Sequence, residues 1–456
     1  MILEEFKIKE TANLVEAIDK IEKNHKGFVL LENSKEQIVG VLTDGDIRRK
    51  LISNIGVEKL VDSCANYEFI KAYSDTPREL LLKKLDDHIK FIPILNKKNR
   101  LVDIFFRDYI PLNKEDKVYA RSKSPVRISF GGGGSDTYSY FKNANGAVIN
   151  STISLFSHSL LKLRLDKKIH IHSADLNDSV HFKDIKELLN YDGNFNLIKS
   201  VIQTINPSFG FELYLDSDYP ISSGLGGSAV VLSSIIGCFN EFRNDKWDRY
   251  EIAEIAFQSE RLLLNIDGGW QDQYATVFGG LNFMEFHSKK NIINPLRLEP
   301  KISSQLEECL ILCYTRTTHD SGLIHSDQKQ ASKATDIKKR IKSNVDLTYE
   351  MKDYLLKGKL FKFGKCLDKA WKYKRSFSSH ISNDYLDKIY KGAMENGAIG
   401  GKLLGAGGGG YFLFYAPFKN RIKLKNWINQ NNLDFVPFIF ENKGLESWKT
   451  KEKLEK

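Results

Sequence analysis

A glycine-rich turn between an alternating stretch and an apolar one constrains this chain more than any other feature. Phe211, Leu213 and Leu215 alternate with polar residues, which predicts a half-buried strand. Residues 229–239 are apolar on nearly all sides, which predicts a buried helix. The turn PISSGLGGSA (220–229) connects them, and its glycines let several backbone N–H groups converge beside the positive end of the helix dipole. The segment therefore predicts an anion-binding pocket.

Two further segments carry residues that phosphoryl transfer requires. Glu260 lies on a predicted helix, and Asp272 follows a Gly-Gly turn twelve residues later. GAGGGG (405–410) is another glycine loop that opens onto a strand. Phosphoryl transfer needs a phosphate cradle, a cation held by carboxylate and hydroxyl oxygens, and a group that orients or deprotonates the acceptor. The chain has neither a Walker A loop nor a Rossmann fingerprint, and an ordinary strand-to-helix turn is the alternative interpretation.

Composition excludes some classes of protein and leaves others open. The 456 residues carry a net charge of +10, so the surface should attract anions such as nucleic acid, acidic membranes or phosphorylated metabolites. Five scattered cysteines argue against a disulfide framework, and the N-terminus shows no secretory signal. No apolar stretch is long enough to span a bilayer. We therefore expect a cytoplasmic protein with no nucleic-acid or membrane partner.

Residues 1–112 form a separate region with an internal repeat of β-β-α character. A polar, charged segment at 113–123, which follows a proline, is predicted to be a linker. The predicted elements of the repeat are strands at 27–32 and 37–43, a helix at 44–52, and a second pair of strands at 91–95 and 100–106.

At three segments the sequence resembles the GHMP kinases, a family that includes galactokinase, homoserine kinase and mevalonate kinase. PVRISFGGGGSD (125–136) resembles the first family motif, with Val126 in place of a glycine. PISSGLGGSA resembles the second, with Gly227 in place of the usual first serine, and GAGGGG resembles the third. The resemblance implies an α+β protein with the two-domain α/β sandwich of the GHMP kinases. The implied domains are an ATP-binding domain at 124–300 and a C-terminal domain at 301–456.

The resemblance assigns roles residue by residue. Asp272 resembles the catalytic aspartate near the acceptor hydroxyl, and Arg127 would lie beside it and keep it ionised. An ordinary buried ion pair is the alternative for these two residues. Ser228 and Glu260 resemble the ligands of Mg²⁺. The residues assigned to ATP binding are Pro220, Ser222, Ser223, Gly224, Leu225, Gly226, Gly227 and Ser228.

The acceptor side of the site is assigned to other segments. Asp136 would accept hydrogen bonds from substrate hydroxyls. Arg316 and Lys402 are candidates to bind a phosphate group on the acceptor, since arginine clamps phosphate with paired hydrogen bonds. A salt bridge with a surface acid is the alternative for Arg316. The other residues assigned to the substrate are Gly133, Gly134, Ser135, Gly407 and Gly408.

Within the family, the segments 268–286, 315–324 and 370–410 are most similar to the heptose 7-phosphate kinases and the related fucose kinases. That similarity implies an enzyme that uses ATP and Mg²⁺ to phosphorylate the anomeric hydroxyl of a heptose 7-phosphate, for nucleotide-sugar and surface-polysaccharide synthesis. The alternatives are a related sugar 1-kinase such as a fucose kinase, a decarboxylase-like relative, and a nucleotide-sensing regulator without catalysis. The hydrophilic substrate that Asp136 implies argues against the decarboxylase.

The region 1–112 resembles a pair of CBS domains, regulatory modules that often bind adenine nucleotides. GVLTDGDIRR (40–49) carries this resemblance, and Thr43 and Asp46 match positions that hold phosphate and ribose. The second copy departs from the pattern, which implies one altered cleft. CBS pairs commonly dimerise, so the resemblance also implies a homodimer, and a dimerisation platform without a ligand is the alternative role.

Overall fold

The chain forms two units, residues 1–109 and 110–456, and each is described by itself. Among the residues that the structure describes, no helix is long and apolar enough to cross a membrane. The computed structural model describes residues 3–53, 56–85, 89–106, 118–264, 268–317 and 335–451.

The N-terminal unit contains one three-stranded arrangement twice. The elements of the first copy are β1 (Lys7–Lys9), α1 (Leu14–Asn24), β2 (Phe28–Glu32), β3 (Ile38–Thr43) and α2 (Asp44–Ile52). Those of the second copy are β4 (Ala72–Tyr73), α3 (Arg78–Lys84), β5 (Phe91–Leu95) and β6 (Leu101–Phe106). In each copy the middle strand pairs with a parallel strand on one side and an antiparallel strand on the other. The strands agree with the predicted repeat.

Apolar side chains of the two copies share a core. All five residues of β2 are buried, and the ring of Phe28 stacks on that of Phe91 with centroids 3.4 Å apart. Leu14, Ala17 and Ile21 lie on one face of α1 and are buried, because their spacing follows the helical repeat. Short 3₁₀ turns at Leu3–Phe6 and Val61–Ser63 complete this unit.

An eight-stranded sheet is the larger sheet of the second unit. Its first seven strands are β7 (Val118–Gly131), β8 (Gly146–Arg164), β9 (Ile169–Ser173), β10 (Asp178–Phe182), β11 (Gly210–Ser217), β12 (Leu281–Phe286) and β13 (Asn291–Pro295). The order is β10-β9-β11-β8-β12-β13, and β7 also pairs with β8. The helices of this part are α4 (Tyr138–Phe141), α5 (Ile185–Asn190), α6 (Asn196–Ile205), α7 (Gly227–Glu241), α8 (Arg249–Phe257), the π-helical turn Gln258–Leu263, and α9 (Gln271–Phe278).

A four-stranded antiparallel sheet forms the rest of the unit. Its strands are β14 (Leu310–Tyr314), β15 (Gly400–Leu403), β16 (Tyr411–Tyr415) and β17 (Asp434–Val436), in the order β15-β16-β14-β17. The accompanying helices are α10 (Pro300–Cys309), α11 (Thr335–Leu356), α12 (Leu360–Arg375), the 3₁₀ turn Ser379–Ile381, α13 (Asp384–Glu395) and α14 (Phe418–Gln430). Trp371 of α12 is buried against the edge of the Phe412 ring, which holds the helix on the sheet.

Two predicted boundaries differ from the structure. Residues 118–123 were predicted to be linker but begin β7, while 113–117 lie outside the described residues. Small buried residues, Ala120 and Ser122, alternate with charged ones there, and small side chains give little hydrophobic signal. The last strand, β18 (Glu446–Lys451), pairs with β7. The end of the predicted C-terminal domain therefore belongs to the first sheet.

Candidate active site

A cavity of about 780 Å³ lies in the second unit, where the segments that the sequence singles out meet. Its walls come from the glycines after β7, the turn before α7, the loop at 405–406, and side chains of α9, α11 and α12. A cavity of this size lies in the range of small-molecule sites in proteins.

Arg127 and Asp272 form a two-pronged ion pair on the cavity wall. The Nε and Nη2 atoms of Arg127 donate to the two carboxylate oxygens of Asp272 at 2.8 and 2.7 Å. The Nη1 atom of Arg127 donates to the carbonyl oxygen of Gly224 at 2.8 Å. The Arg127 side chain is 4% exposed and that of Asp272 is 18% exposed. One guanidinium therefore holds both the carboxylate and the glycine turn, while the carboxylate keeps an open edge.

The turn before α7 approaches this ion pair so closely that it needs glycine. Gly226 is the N-cap of α7 with φ of +79°, and no side chain caps the helix there. A Cβ on Gly226 would lie 3.2 Å from Oδ2 of Asp272. A Cβ on Gly227 would lie 2.7 Å from the ring of Tyr219, which accounts for glycine where the family motif has serine. The start of α7 is therefore free of a side-chain cap, as an anion-binding helix start requires.

Ser228 and Glu260 face each other at the cavity. The Ser228 hydroxyl donates to Oε1 of Glu260, and Nε2 of Gln273 donates to Oε2 of Glu260 at 2.6 Å. Glu260 is 3% exposed, and Nη1 of Arg261 lies 3.6 Å from its Oε1. A buried carboxylate beside a hydroxyl is a donor set of hard oxygens, which suits Mg²⁺.

Asp136 is the last residue of the segment 125–136, and backbone N–H groups hold its carboxylate. Its carboxylate accepts from the N–H groups of Gly134 at 3.2 Å and Gln271 at 3.1 Å. Burial, and then the negative charge of Asp272, raise the pKa of Asp136. Ser135 is buried outside the cavity lining, and its hydroxyl donates to backbone carbonyls of Gly132 and Ala147. Ser135 therefore supports the loop, whereas Asp136, Gly133 and Gly134 line the cavity.

Two lysines line the same cavity, of which Lys402 is buried and Lys374 is half-buried. Lys374 of α12 donates to the carbonyl oxygens of Leu403 at 2.9 Å and Gly405 at 2.5 Å. Burial, then the charge of Lys402 and then that of Arg127, hold the pKa of Lys374 well below its usual value, although Asp272 opposes the shift. Burial, and then Arg127, lower the pKa of Lys402 to about 7. Positive charge on these lysines is therefore disfavoured in the cavity, and an anionic ligand would favour it.

Several buried polar atoms of the cavity wall have no hydrogen-bond partner among the described residues. The hydroxyl oxygens of Ser129 and Ser223 and the side-chain carbonyl oxygens of Gln271 and Asn344 are of this kind. Buried polar atoms are normally hydrogen-bonded, so these atoms provide unmet capacity for a ligand with many polar groups.

Some predicted site residues lie elsewhere. Arg316 pairs with both carboxylate oxygens of Asp434, at 3.0 and 2.7 Å, and this exposed salt bridge corrects its predicted contact with the acceptor's phosphate. Gly407 and Gly408 are not in the cavity lining. They lie against the 3₁₀ turn at Ile381, to whose carbonyl oxygen the N–H of Gly408 donates. The predicted contact of these two glycines with the substrate is therefore wrong for this structure.

Most of the turn residues that the sequence assigns to ATP binding line the cavity. Pro220 and Leu225 do not line the cavity, and Leu225 is buried. The turn residues in the lining are Ser222, Ser223, Gly224, Gly226, Gly227 and Ser228.

In the N-terminal unit, Thr43 and Asp46 cap α2. The Thr43 hydroxyl accepts from the N–H of Asp46 at 3.2 Å and donates to its Oδ2 at 2.6 Å. The N–H of Thr43 donates to the same Oδ2 at 3.0 Å, and Arg49 donates to Oδ1 at 2.6 Å. These polar groups are therefore satisfied within their own helix.

Sequence reasoning missed the contribution of α11 and α12 to the cavity. Asn344 and Lys374 lie 72 and 102 residues beyond Asp272 and outside the three glycine-rich motifs. Lys374 lies in WKYKR, a basic pattern that is typical of a solvated helix face or of a substrate contact. A clear signal was present only for Gln271, which adjoins the predicted Asp272.

Comparisons with known proteins find matches for both units of the chain. Residues 196–280 match the family model of the GHMP kinases N terminal domain, and residues 1–53 match that of the CBS domain. A D-glycero-alpha-D-manno-heptose 7-phosphate kinase of Campylobacter jejuni is 36% identical over 72% of this chain and 98% of its own length. An L-fucokinase/L-fucose-1-P guanylyltransferase of Bacteroides fragilis is 24% identical over 71% of this chain, which spans 38% of that longer protein.

Solved structures of sugar kinases have a similar fold. A crystal structure of a D-glycero-D-manno-heptose 1-phosphate kinase from Bacteroides thetaiotaomicron superposes with a TM-score of 0.61 and 28% identity, covering 73% of this chain and all of that one. A putative sugar kinase from Campylobacter jejuni superposes with a TM-score of 0.59 and 34% identity, covering 74% of this chain and all of that one.

Proposed function

This chain belongs to the GHMP kinases, and we propose that it transfers the γ-phosphoryl group of ATP to the anomeric hydroxyl of a D-glycero-D-manno-heptose 7-phosphate. The enzyme class, a sugar kinase with an alcohol group as acceptor, follows from the family. The substrate is the proposal, and it is supported by the match to a heptose 7-phosphate kinase along 98% of that protein's length. The product would be a 1,7-bisphosphate suited to nucleotide-sugar synthesis.

The observation that carries the proposal is the juxtaposition of an uncapped helix start with the Arg127–Asp272 pair. The turn before α7 would bind the phosphates of ATP through its backbone N–H groups. Asp272 lies next to this turn, as the close approach of Gly226 shows. An acceptor hydroxyl beside Asp272 would therefore face the terminal phosphate. The side-chain oxygens of Ser129, Gln271 and Asn344, which have no partner in the part of the chain that the structure describes, would accept hydrogen bonds from the other sugar hydroxyls.

Asp272 would orient the acceptor hydroxyl and accept its proton as the oxygen bonds to phosphorus. Arg127 holds the carboxylate in place with two hydrogen bonds. As the new O–P bond forms, the bond to the bridging oxygen breaks and ADP leaves with that electron pair. Positioning supplies most of the rate in such reactions.

Ser228 and Glu260 would hold Mg²⁺, since their oxygens lie together at the cavity. When bound, Mg²⁺ neutralises the charge of the nucleotide's phosphates. Gln273 orients Glu260 by a hydrogen bond of 2.6 Å, so the carboxylate is held in position before any cation arrives.

Lys402 is the residue that we assign to the phosphate already present on the substrate. Its ammonium lines the cavity and has no ion-pair partner among the described residues. Lys374 would support it, because both lysines belong to the same wall. Binding a phosphate would restore the positive charge that burial disfavours.

Release of ADP across a panel of acceptors tests the proposal. The panel contains D-glycero-D-manno-heptose 7-phosphate, the free heptose, mannose, fucose and galactose, and Asp272→Asn measured in parallel reports background hydrolysis. We expect the highest kcat/KM for the heptose 7-phosphate, with the new phosphate on O1 by nuclear magnetic resonance. A higher kcat/KM for fucose would indicate a fucose kinase, and folded protein without turnover on any sugar would indicate a regulator.

For the N-terminal unit, the proposal is an adenine-nucleotide site at Thr43 and Asp46 that adjusts kinase activity. The match to the CBS domain supports it. The capping hydrogen bonds between Thr43 and Asp46 would have to be exchanged for bonds to a nucleotide. Binding should therefore be weak. Calorimetry with AMP and ATP on the full chain, with Asp46→Ala as the comparison, tests the assignment. Equal heats from both proteins would leave the unit only a role in dimerisation, which sedimentation would measure.

A further inference from the structure

Three histidines lie together on the outer face of the larger sheet, away from the residues that line the cavity. His170 and His172 belong to β9, and His181 belongs to β10. In the antiparallel register His170 is directly opposite His181, and His172 is opposite Ser179. Side chains on one strand alternate between faces, so His170 and His172 project from the same side. The strand pairing therefore brings all three imidazoles to one face.

The distances between these imidazoles suit a shared metal ion. One ring nitrogen from each histidine lies within 4.8 Å of one from each of the others. Nitrogen ligands at ~2.1 Å in tetrahedral geometry are about 3.4 Å apart. Rotation of the side chains closes that difference, since His181 is exposed and the other two are half-buried. The rings of His170 and His181 now stack with centroids 4.2 Å apart, and metal binding would turn them out of this stack.

The surroundings fix His172 in an orientation that leaves one nitrogen for a metal. Its Nδ1 lies 2.9 Å from the Ser179 hydroxyl, and its ring stacks on Tyr214 with centroids 4.6 Å apart. Metal-binding histidines usually use their second nitrogen in such a hydrogen bond. The Nε2 atom of His172 is therefore the ligand atom.

Neighbouring charges do not oppose a cation strongly. Glu212 lies beside His170 in the register of β11. Its carboxylate pairs with Arg164 at 2.5 Å and lies 3.7 Å from Nζ of Lys162. Arg164 also pairs with Asp166 at 2.8 Å. The basic groups are thus compensated by carboxylates.

We propose that His170, His172 and His181 form a site for a divalent transition metal of the Zn²⁺ type, with water in the open position. Imidazole suits Zn²⁺, Cu²⁺ and Ni²⁺ and does not suit Mg²⁺, so this site is chemically distinct from the one at Ser228 and Glu260. The ion would join β9 to β10, whose connecting turn contributes Asp175 and Leu176 to the cavity wall. The inference does not depend on which sugar is phosphorylated.

Calorimetric titration of the untagged full chain with ZnCl₂, in excess Mg²⁺, tests this site. We expect one equivalent of Zn²⁺ to bind, and His181→Gln and His170→Gln to weaken it by at least the ~10–100-fold that loss of an outer-shell partner costs. His158→Gln is the matched control, because His158 is another half-exposed histidine of this sheet but lies outside the cluster.

Two further readouts do not depend on the heat signal. Co²⁺ bound by three imidazoles should give visible absorption that His181→Gln abolishes. Zn²⁺ should slow amide exchange in residues 178–182 of wild-type protein and not in that variant. Zn²⁺ affinity that is equal in wild type and both cluster variants, or no binding to wild type, would overturn the proposal and leave three solvated surface histidines.

Discussion

The helices α2 and α7 each begin within a family motif, yet their first turns are capped differently. At α2, Thr43 and Asp46 satisfy each other's polar groups through a reciprocal capping box. At α7, the N-cap is Gly226, which offers no side chain, and the hydroxyl of nearby Ser223 has no partner among the described residues. Both starts lie in segments that the sequence predicts to bind a nucleotide. Of the buried side-chain atoms that the structure describes at these two starts, only the Ser223 hydroxyl lacks a partner. A motif therefore indicates a ligand site most strongly where its polar groups are not already satisfied within the fold.

The largest expected effect is the loss of turnover on substitution of Asp272, which lies beside the start of α7. Asp272→Asn keeps the shape of the side chain but removes the charge that Arg127 holds, and we expect kcat to fall by ~10²–10⁴-fold. The matched control is Asp434→Asn, which breaks an exposed Arg–Asp pair of the same two-pronged geometry. Steady-state kinetics should show that variant near wild type. Turnover of Asp272→Asn near wild type would remove Asp272 from the mechanism.

Next in size is the metal requirement at α7. Ser228→Ala and Glu260→Gln each remove an oxygen from the expected Mg²⁺ site. We expect the Mg²⁺ concentration for half-maximal rate to rise ~10–100-fold, comparable with the loss of a supporting ligand contact. The KM for the sugar should change little. Rates measured against Mg²⁺ check this, and an unchanged Mg²⁺ dependence in both variants would contradict the assignment.

Lys402, which lines the cavity, predicts that the KM for a sugar phosphate depends on pH. The pKa of Lys402, about 7, lies below the ordinary lysine value of 10.5, so its ammonium is present below pH 7 and is lost as the pH rises. The KM for a sugar phosphate should therefore rise above pH 7, while that for the unphosphorylated sugar should not.

A charge-retaining variant sharpens this test. Lys402→Arg keeps its charge and should flatten the profile. Lys402→Met should raise the KM for the sugar phosphate ~10-fold or more at pH 6.5, since charge-assisted hydrogen bonds are strong. Arg316→Ala is the control, because its guanidinium is held by Asp434. A KM profile of Lys402→Arg identical to wild type would exclude Lys402 as the titrating group.

The smallest expected effect concerns the start of α2, where Thr43 caps the helix. Thr43→Val removes the capping hydroxyl with little change of shape, and we expect a loss of ~1 kcal/mol in stability of the N-terminal unit. Thr43→Ser keeps the hydroxyl and should behave as wild type. Denaturation followed by circular dichroism on the full chain measures both. Equal stability of the valine and serine variants would show that the capping box contributes nothing there.

Local patterns predicted much of the fold because they act through neighbouring residues. The strands of the N-terminal repeat, α2 and the buried helix α7 follow from apolar periodicity and caps within a few residues of each other. Glu260 and Asp272 were assigned through the family resemblance, whereas Arg127 and Ser228 lie within short glycine-rich motifs. For such features, adjacent residues already specify the geometry.

Other features depend on contacts between distant parts of the chain. The pairing of Arg316 with Asp434 spans 118 residues, and nothing near Arg316 distinguishes a phosphate clamp from a salt bridge. The return of β18 to β7 likewise has no local signal. Lys374 has the pattern of a surface residue in its own helix, and only the packing of α12 places it in the cavity wall beside Lys402. The amino-acid sequence thus determined which groups can do the chemistry. Tertiary packing decided which of these groups are shielded from water, free of an ion-pair partner and close enough to react. Burial and the interaction of charges act through space rather than along the chain.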